Sequence, residues 1–108
     1  MSKKMSTETA TTTKVKIAPR NDLVPPPSFQ VIFMNDDVTT VQFVMAVLME
    51  IFDHSESSAS DLTVKIHEQG QAAVAVLPFE IAESKAVEAT LLARTNSFPL
   101  NVKLEPVS

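Results

Sequence analysis

The chain has no cysteine, no tryptophan, no tyrosine and a single glycine. Without cysteine there can be no disulfide, no thiolate nucleophile and no cysteine-ligated metal, and the composition fits a reducing, cytoplasmic setting. G-x-S-x-G, the P-loop and H-E-x-x-H are all missing, and the segment H-E-Q-G at 67–70 stops short of a zincin site. Long apolar runs are absent too. The N-terminus, MSKKMSTETATTTKVKIAP, carries lysines but no apolar h-region, and no uncharged apolar run reaches the length of a membrane span. Neither secretion nor membrane insertion is expected.

What is present is unevenly charged. Residues 1–28 hold five basic and two acidic side chains, a balance of +3, whereas residues 29–108 hold four basic and eleven acidic ones, a balance of −7. Nucleic-acid binding normally needs a basic surface, so the acidic part points away from a phosphate backbone and toward a small cation, an amine or a basic partner face. The length of 108 residues suits one domain with one core.

Residues 1–28 are rich in Thr, Ser and Lys, lack a period, and finish in Pro25-Pro26-Pro27. They are expected to form a flexible arm ahead of a core domain over 29–108. Phe29 to Met34 (FQVIFM) reads as a strand. The helix after it, Thr40 to about Phe52, has a start signal in which Thr39 is the N-cap, Gln42 completes a capping box, and Val38 and Phe43 form a hydrophobic staple. Val41, Val44, Met45, Leu48 and Phe52 are spaced as its buried stripe. Ser55 caps a second helix over Glu56 to about Glu68, with Ala59, Leu62, Thr63 and Ile66 inward, and Gly70 is positioned for a left-handed helix end. Gln71 to Leu77 is a strand, Glu80 to about Thr95 a third helix, and Leu100 to Glu105 a last alternating strand. The order βααβαβ predicts a two-layer α+β domain, three helices on a small three-stranded antiparallel sheet.

The chemistry concentrates in Asn35, Asp36 and Asp37, on the turn between the first strand and the first helix. Such residues commonly form turns and favour helix N-termini. Two adjacent like charges also suit a cationic ligand, the more so if Thr39 and Gln42 do the capping. His67 is either a helix-terminal histidine or a partner of that turn; Asp, an Asn oxygen and a neutral imidazole nitrogen together offer acceptors to an ammonium group. The same atoms suit a metal less well, because no further histidine has ligand spacing. They also leave an acid–base enzyme as a lesser reading. His54, in the polar linker, is expected to be exposed.

The segments VIFMNDDVTTVQFVMAVLMEIF, IHEQG, PFEIAESKA and FPLNVKLE, in that order and spacing, resemble the ClpS family of adaptor proteins over residues 26–106. The resemblance implies a fold similar to the C-terminal domain of a ribosomal stalk protein. It implies no cofactor and no catalysis, but recognition of bulky N-terminal residues (Leu, Phe, Tyr, Trp) of substrate proteins and their delivery to the ClpA unfoldase of the ClpAP protease by docking on its N-terminal domain. On it, Asn35, Asp36, Asp37 and His67 would bind the substrate α-amino group. Ile32, Thr39, Val41, Val44, Thr63, Ile66 and Leu100 would wall the side-chain pocket, Glu80 and Lys85 would dock the unfoldase, and the arm would engage it during delivery. The family usually has Met where this chain has Val41 and Thr63, an aromatic at Val38 and at Glu68, and Pro at Thr40. These departures imply a second-copy or divergent member with a changed cavity depth and substrate ranking. The alternative is a ClpA-docking modulator whose terminal-residue recognition is altered or lost.

Overall fold

The computed structural model describes residues 26–107; residues 1–25 of the expected arm lie outside them. The elements are β1 (Ser28–Met34), α1 (Val41–Glu50), α2 (Glu56–Gln69), β2 (Gln71–Pro78), α3 (Phe79–Thr95) and β3 (Asn101–Pro106). They form an α+β domain in the order expected, with an antiparallel sheet β2-β1-β3. Ser28, assigned by its sequence to the arm, opens β1 instead, opposite Pro78. No helix among the described residues is long and apolar enough to cross a membrane.

Strand alternation directs Val31 and Phe33 of β1, with Ala72 and Val74 of β2, to one core. They meet Val44, Val47, Leu48 and Ile51 from α1, Ala59 and Ile66 from α2, and Ala82, Ala89 and Ala93 from α3. The inner face of α3 is thus almost entirely alanine, and its larger apolar residues, Ile81, Val87, Leu91 and Leu92, are exposed. Helix ends follow local chemistry where the sequence is explicit. The Ser55 hydroxyl accepts from the Ser58 N–H at the start of α2, and Gly70, at φ 84°, ends that helix in the left-handed region that glycine occupies at little cost.

Two basic side chains of α3 brace helix ends and turns. Lys85 of α3 donates from Nζ to the Ile51 carbonyl (2.7 Å) and lies 6.0 Å from the centre of the Phe52 ring, so a cation sits at the negative end of α1. Arg94 donates from Nη1 to the Phe98 and Leu100 carbonyls (3.0 and 2.9 Å), bracing the turn into β3. His54 is not free in solvent as expected: Nε2 lies 2.6 Å from the Val74 carbonyl and Nδ1 3.0 Å from the Ser58 hydroxyl, so it pins the α1–α2 connection to β2.

Candidate functional site

The start of α1 departs from expectation in a way that shapes the site. The N-cap is Thr40, whose hydroxyl accepts from the Phe43 N–H at 3.2 Å, and the helix begins at Val41. Thr39 is not the cap, because its hydroxyl donates to Asp36 Oδ2 (2.8 Å). Asp36 Oδ1 accepts from the N–H groups of Val38 and Thr39 (2.8 and 2.6 Å), the bonding of a turn that Asp forms with its own following backbone. Gln42 therefore falls one position too early for a capping box. Phe43 packs instead against Phe98, ring centres 4.9 Å apart. Two threonines in a row made either one a possible cap, and the carboxylate three residues before Thr39 decided between them.

Asp36 therefore has a structural task, contrary to the expectation that capping elsewhere would release it. A carboxylate offers roughly four lone-pair sites. Three are occupied by Val38 and Thr39, which leaves about one on Oδ2 for a ligand. Burial acts to raise its pKa, but the bonds from Thr39 and Val38, with the Arg94 charge behind them, prevail and hold the carboxyl below its ordinary value. The group is oriented and ionised before any ligand arrives.

The neighbouring turn is fastened to α2. The Asn35 N–H donates to the Gly70 carbonyl (2.9 Å), so the exit of β1 lies against the end of the helix that carries His67. Between them is a cavity of about 290 Å³. Asn35, Asp36, Asp37 and His67 contribute its polar groups, and Thr39, Val41, Val44, Thr63 and Ile66 the rest of its lining. Val44, Thr63 and Ile66 are buried and belong to the packed interior, whereas Val41 is 57% exposed. Val41 is thus a cavity residue and not the core residue its spacing suggested; Val47 and Ile51 take the core side of α1. The Thr63 hydroxyl donates to the Ala59 carbonyl (2.7 Å), so its polar group is satisfied within α2.

Nine of the residues singled out from sequence as amine or side-chain contacts come together at this cavity; two do not. Ile32 lies between Val31 and Phe33, so alternation sends it to the other sheet face, opposite Ala73 and Lys103. Leu100 is 1% exposed within the core, its carbonyl held by Arg94. Glu68 is exposed and outside the cavity lining, and Glu80 and Lys85 lie on α3, away from it. Among the described residues, no group of three His, Cys, Asp or Glu side chains is placed to hold a metal ion. Sequence reasoning missed the bonding of Asp36 to Thr39, for which Asp-x-x-Thr was the available signal.

Fold and cavity together define a small α+β domain with a side-chain-sized hollow that is apolar within and acid-rimmed at its mouth. The family model for the ATP-dependent Clp protease adaptor protein ClpS matches residues 24–103. The chain belongs to the ClpS family. It is 40% identical to the ATP-dependent Clp protease adapter protein ClpS of Treponema denticola over 84 residues, 78% of this chain and 83% of that protein. With the ClpS of Shewanella denitrificans the identity is 42% over 85 residues, 79% of this chain and 83% of the relative. The structure of Agrobacterium tumefaciens ClpS2 bound to L-phenylalaninamide superposes with a TM-score of 0.74 at 38% identity, covering 77% of this chain and all of that one.

Proposed function

We infer that this chain is a non-catalytic cytoplasmic adaptor that binds the bulky apolar first residue of a substrate protein and delivers it to the ClpA unfoldase of the ClpAP protease. The observation that carries this is the cavity itself, in which hydrogen-bond acceptors converge at the mouth and apolar walls lie behind. A terminal residue has the complementary shape: an ammonium with three donors for Asn35, Asp36, Asp37 and His67, and a side chain for the space beside Val41, Val44, Thr63 and Ile66. Burying such a side chain contributes roughly 1.5–3 kcal/mol. At about 290 Å³ the cavity suits one side chain and not a longer peptide segment. Phenylalaninamide, bound by the related ClpS2, combines a free α-amine with a benzyl group and an amide where a peptide bond would continue.

Delivery is assigned to the exposed side of α3, with Glu80 and Lys85 facing the unfoldase N-terminal domain. Lys85 already gives one of its three donors to Ile51, so two remain for a partner.

The test is a panel of short fluorescent peptides that differ only in residue one, each in free and N-acetylated form, followed by anisotropy. Free Phe or Leu at position one is expected to bind at micromolar concentration or better, and acetylation to abolish it, since it removes the charge and part of the donor set. Equal binding of the free and acetylated forms would sink amine recognition. Retained binding to the ClpA N-terminal domain would then favour a docking modulator.

A further inference from the structure

On the side of the domain formed by α3 and β3 there is a second hollow, about 280 Å³, lined by Ala86, Val87, Leu91, Val102 and Leu104 with Glu83 at its rim. It is apolar, and Val87 and Leu91 are 51% and 62% exposed. It adjoins an open sheet edge: among the described residues β3 pairs only with β1, so its other side offers backbone donors and acceptors to an added strand. We propose that this groove and edge are the seat of the chain's own segment Lys14-Val15-Lys16-Ile17, which adds alongside β3.

Three observations select that occupant. The segment alternates charge with a β-branched apolar residue, the pattern of a half-buried strand, so Val15 and Ile17 share one face. Laid beside β3, they join the face of Val102 and Leu104 and cover Val87 and Leu91, while Lys14 and Lys16 take the opposite face. The charges are complementary overall, +3 over residues 1–28 against −7 over the remainder, and the lysines' face of β3 carries Glu105, paired there with Lys103 (3.1 Å). The tether also fits. Phe29 lies opposite Pro106 and the Val107 N–H donates to the Ser28 carbonyl (2.9 Å), so β1 begins level with the end of β3, and Pro26 and Pro27 before it share a hollow with Pro78, Phe79, Glu80 and Ile81. Ile17 is nine positions before Pro26, a reach of up to about 30 Å, against roughly 20 Å for the whole of β3. Main-chain pairing supplies the binding and two small apolar contacts set the register, as in other cases of strand addition to a sheet edge.

The absence of native cysteine makes the test direct. A nitroxide is attached to the full chain at Thr13→Cys, and amide signals of the 15N-labelled protein are compared with the label oxidised and reduced. Amides of Val87, Leu91, Val102 and Leu104 are expected to lose most of their intensity, and to regain it in the Val15→Asp, Ile17→Asp double variant and in Leu91→Glu, with all other signals unchanged as evidence of folding. Weak, uniform broadening would overturn the proposal, as would broadening centred on the β2 edge or on the acid-rimmed cavity, or a pattern indifferent to either substitution. Mixing nitroxide-bearing 14N chains with unlabelled 15N chains tests a second copy as the occupant. Broadening of the groove in that mixture would also overturn it.

Discussion

Two hollows among the described residues, the acid-rimmed cavity and the α3–β3 groove, are nearly equal in volume, about 290 and 280 Å³, and opposite in character. The first lies where a strand–helix turn meets the end of a second helix, and four polar side chains converge on its mouth. The second lies between a helix and an edge strand and has one acid and one threonine among apolar residues. Size does not distinguish them; the origin of their walls does. The turn after β1 is drawn together by hydrogen bonds, from Thr39 and Val38 to Asp36 and from Asn35 to Gly70, so its acceptors are held at fixed positions before a ligand binds. The α3–β3 groove arises because the inner face of α3 is alanine and its larger residues are turned outward. A preorganised polar rim selects a chemical group, whereas an apolar groove beside a free edge accepts a backbone.

Asp36 provides the largest test of this contrast. Asp36→Ala removes the rim charge and three internal bonds together, and is expected to weaken a free-Phe peptide by about 100-fold while also lowering the melting temperature. Asp36→Asn retains an oxygen for the Val38 and Thr39 N–H groups, so anisotropy should show much of that binding loss with the melt nearly unchanged. If both variants bind as the parent does, the rim is only a turn. The acid limb separates them further. A folded-state pKa held below its ordinary value of 3.8 gives stability that is present above that value and lost as pH falls through the lower, folded one. Acid titration of Asp36→Asn, followed by circular dichroism, should therefore show a shallower loss of stability below the ordinary carboxylate range.

His67 is exposed, so His67→Ala should leave the melt unchanged and weaken the peptide by up to about tenfold, the scale of one hydrogen bond. A change in stability without a change in affinity would make it a helix-end residue after all. Lys85→Met addresses a brace outside both hollows, since it removes the cation at the end of α1 while keeping the stem. Urea unfolding should show a loss of about 1 kcal/mol, with peptide affinity preserved. The smallest effect belongs to Leu91→Glu, at an exposed position far from the rim. Peptide binding should stay within about twofold and stability within about 0.5 kcal/mol, and a large fall in affinity would break the separation between the two regions.

Much of the fold was legible because its signals are local. Ser55 and Gly70 bracket α2 as their chemistry requires, and strand and helix periods set the order of elements. The alanine spacing Ala82, Ala86, Ala89 and Ala93 was legible too and went unread, although it forecasts a helix whose larger residues are left outside. The choice of Thr40 over Thr39 was not legible, since both have the same side chain and only the bonding of Asp36 distinguishes them. Val41 illustrates a similar limit: helical spacing puts it on the apolar side, but whether that side meets a core or a cavity depends on what packs opposite.

By itself the amino-acid sequence determined the class, the succession of elements, the membership in the ClpS family, and the gathering of acids and a histidine into segments that could meet. Tertiary structure alone decided how those groups are held. Lys85 finds Ile51 across 34 positions and His54 finds Val74 across 20, while Leu100 is taken into the core and Ile32 is buried on the other face of the sheet, both away from the cavity wall. The physical reason is distance along the chain. Periodicity and capping act within one or two turns, but a cavity wall, a remote helix cap and an open sheet edge are set by which surfaces are brought together once the helices and strands pack.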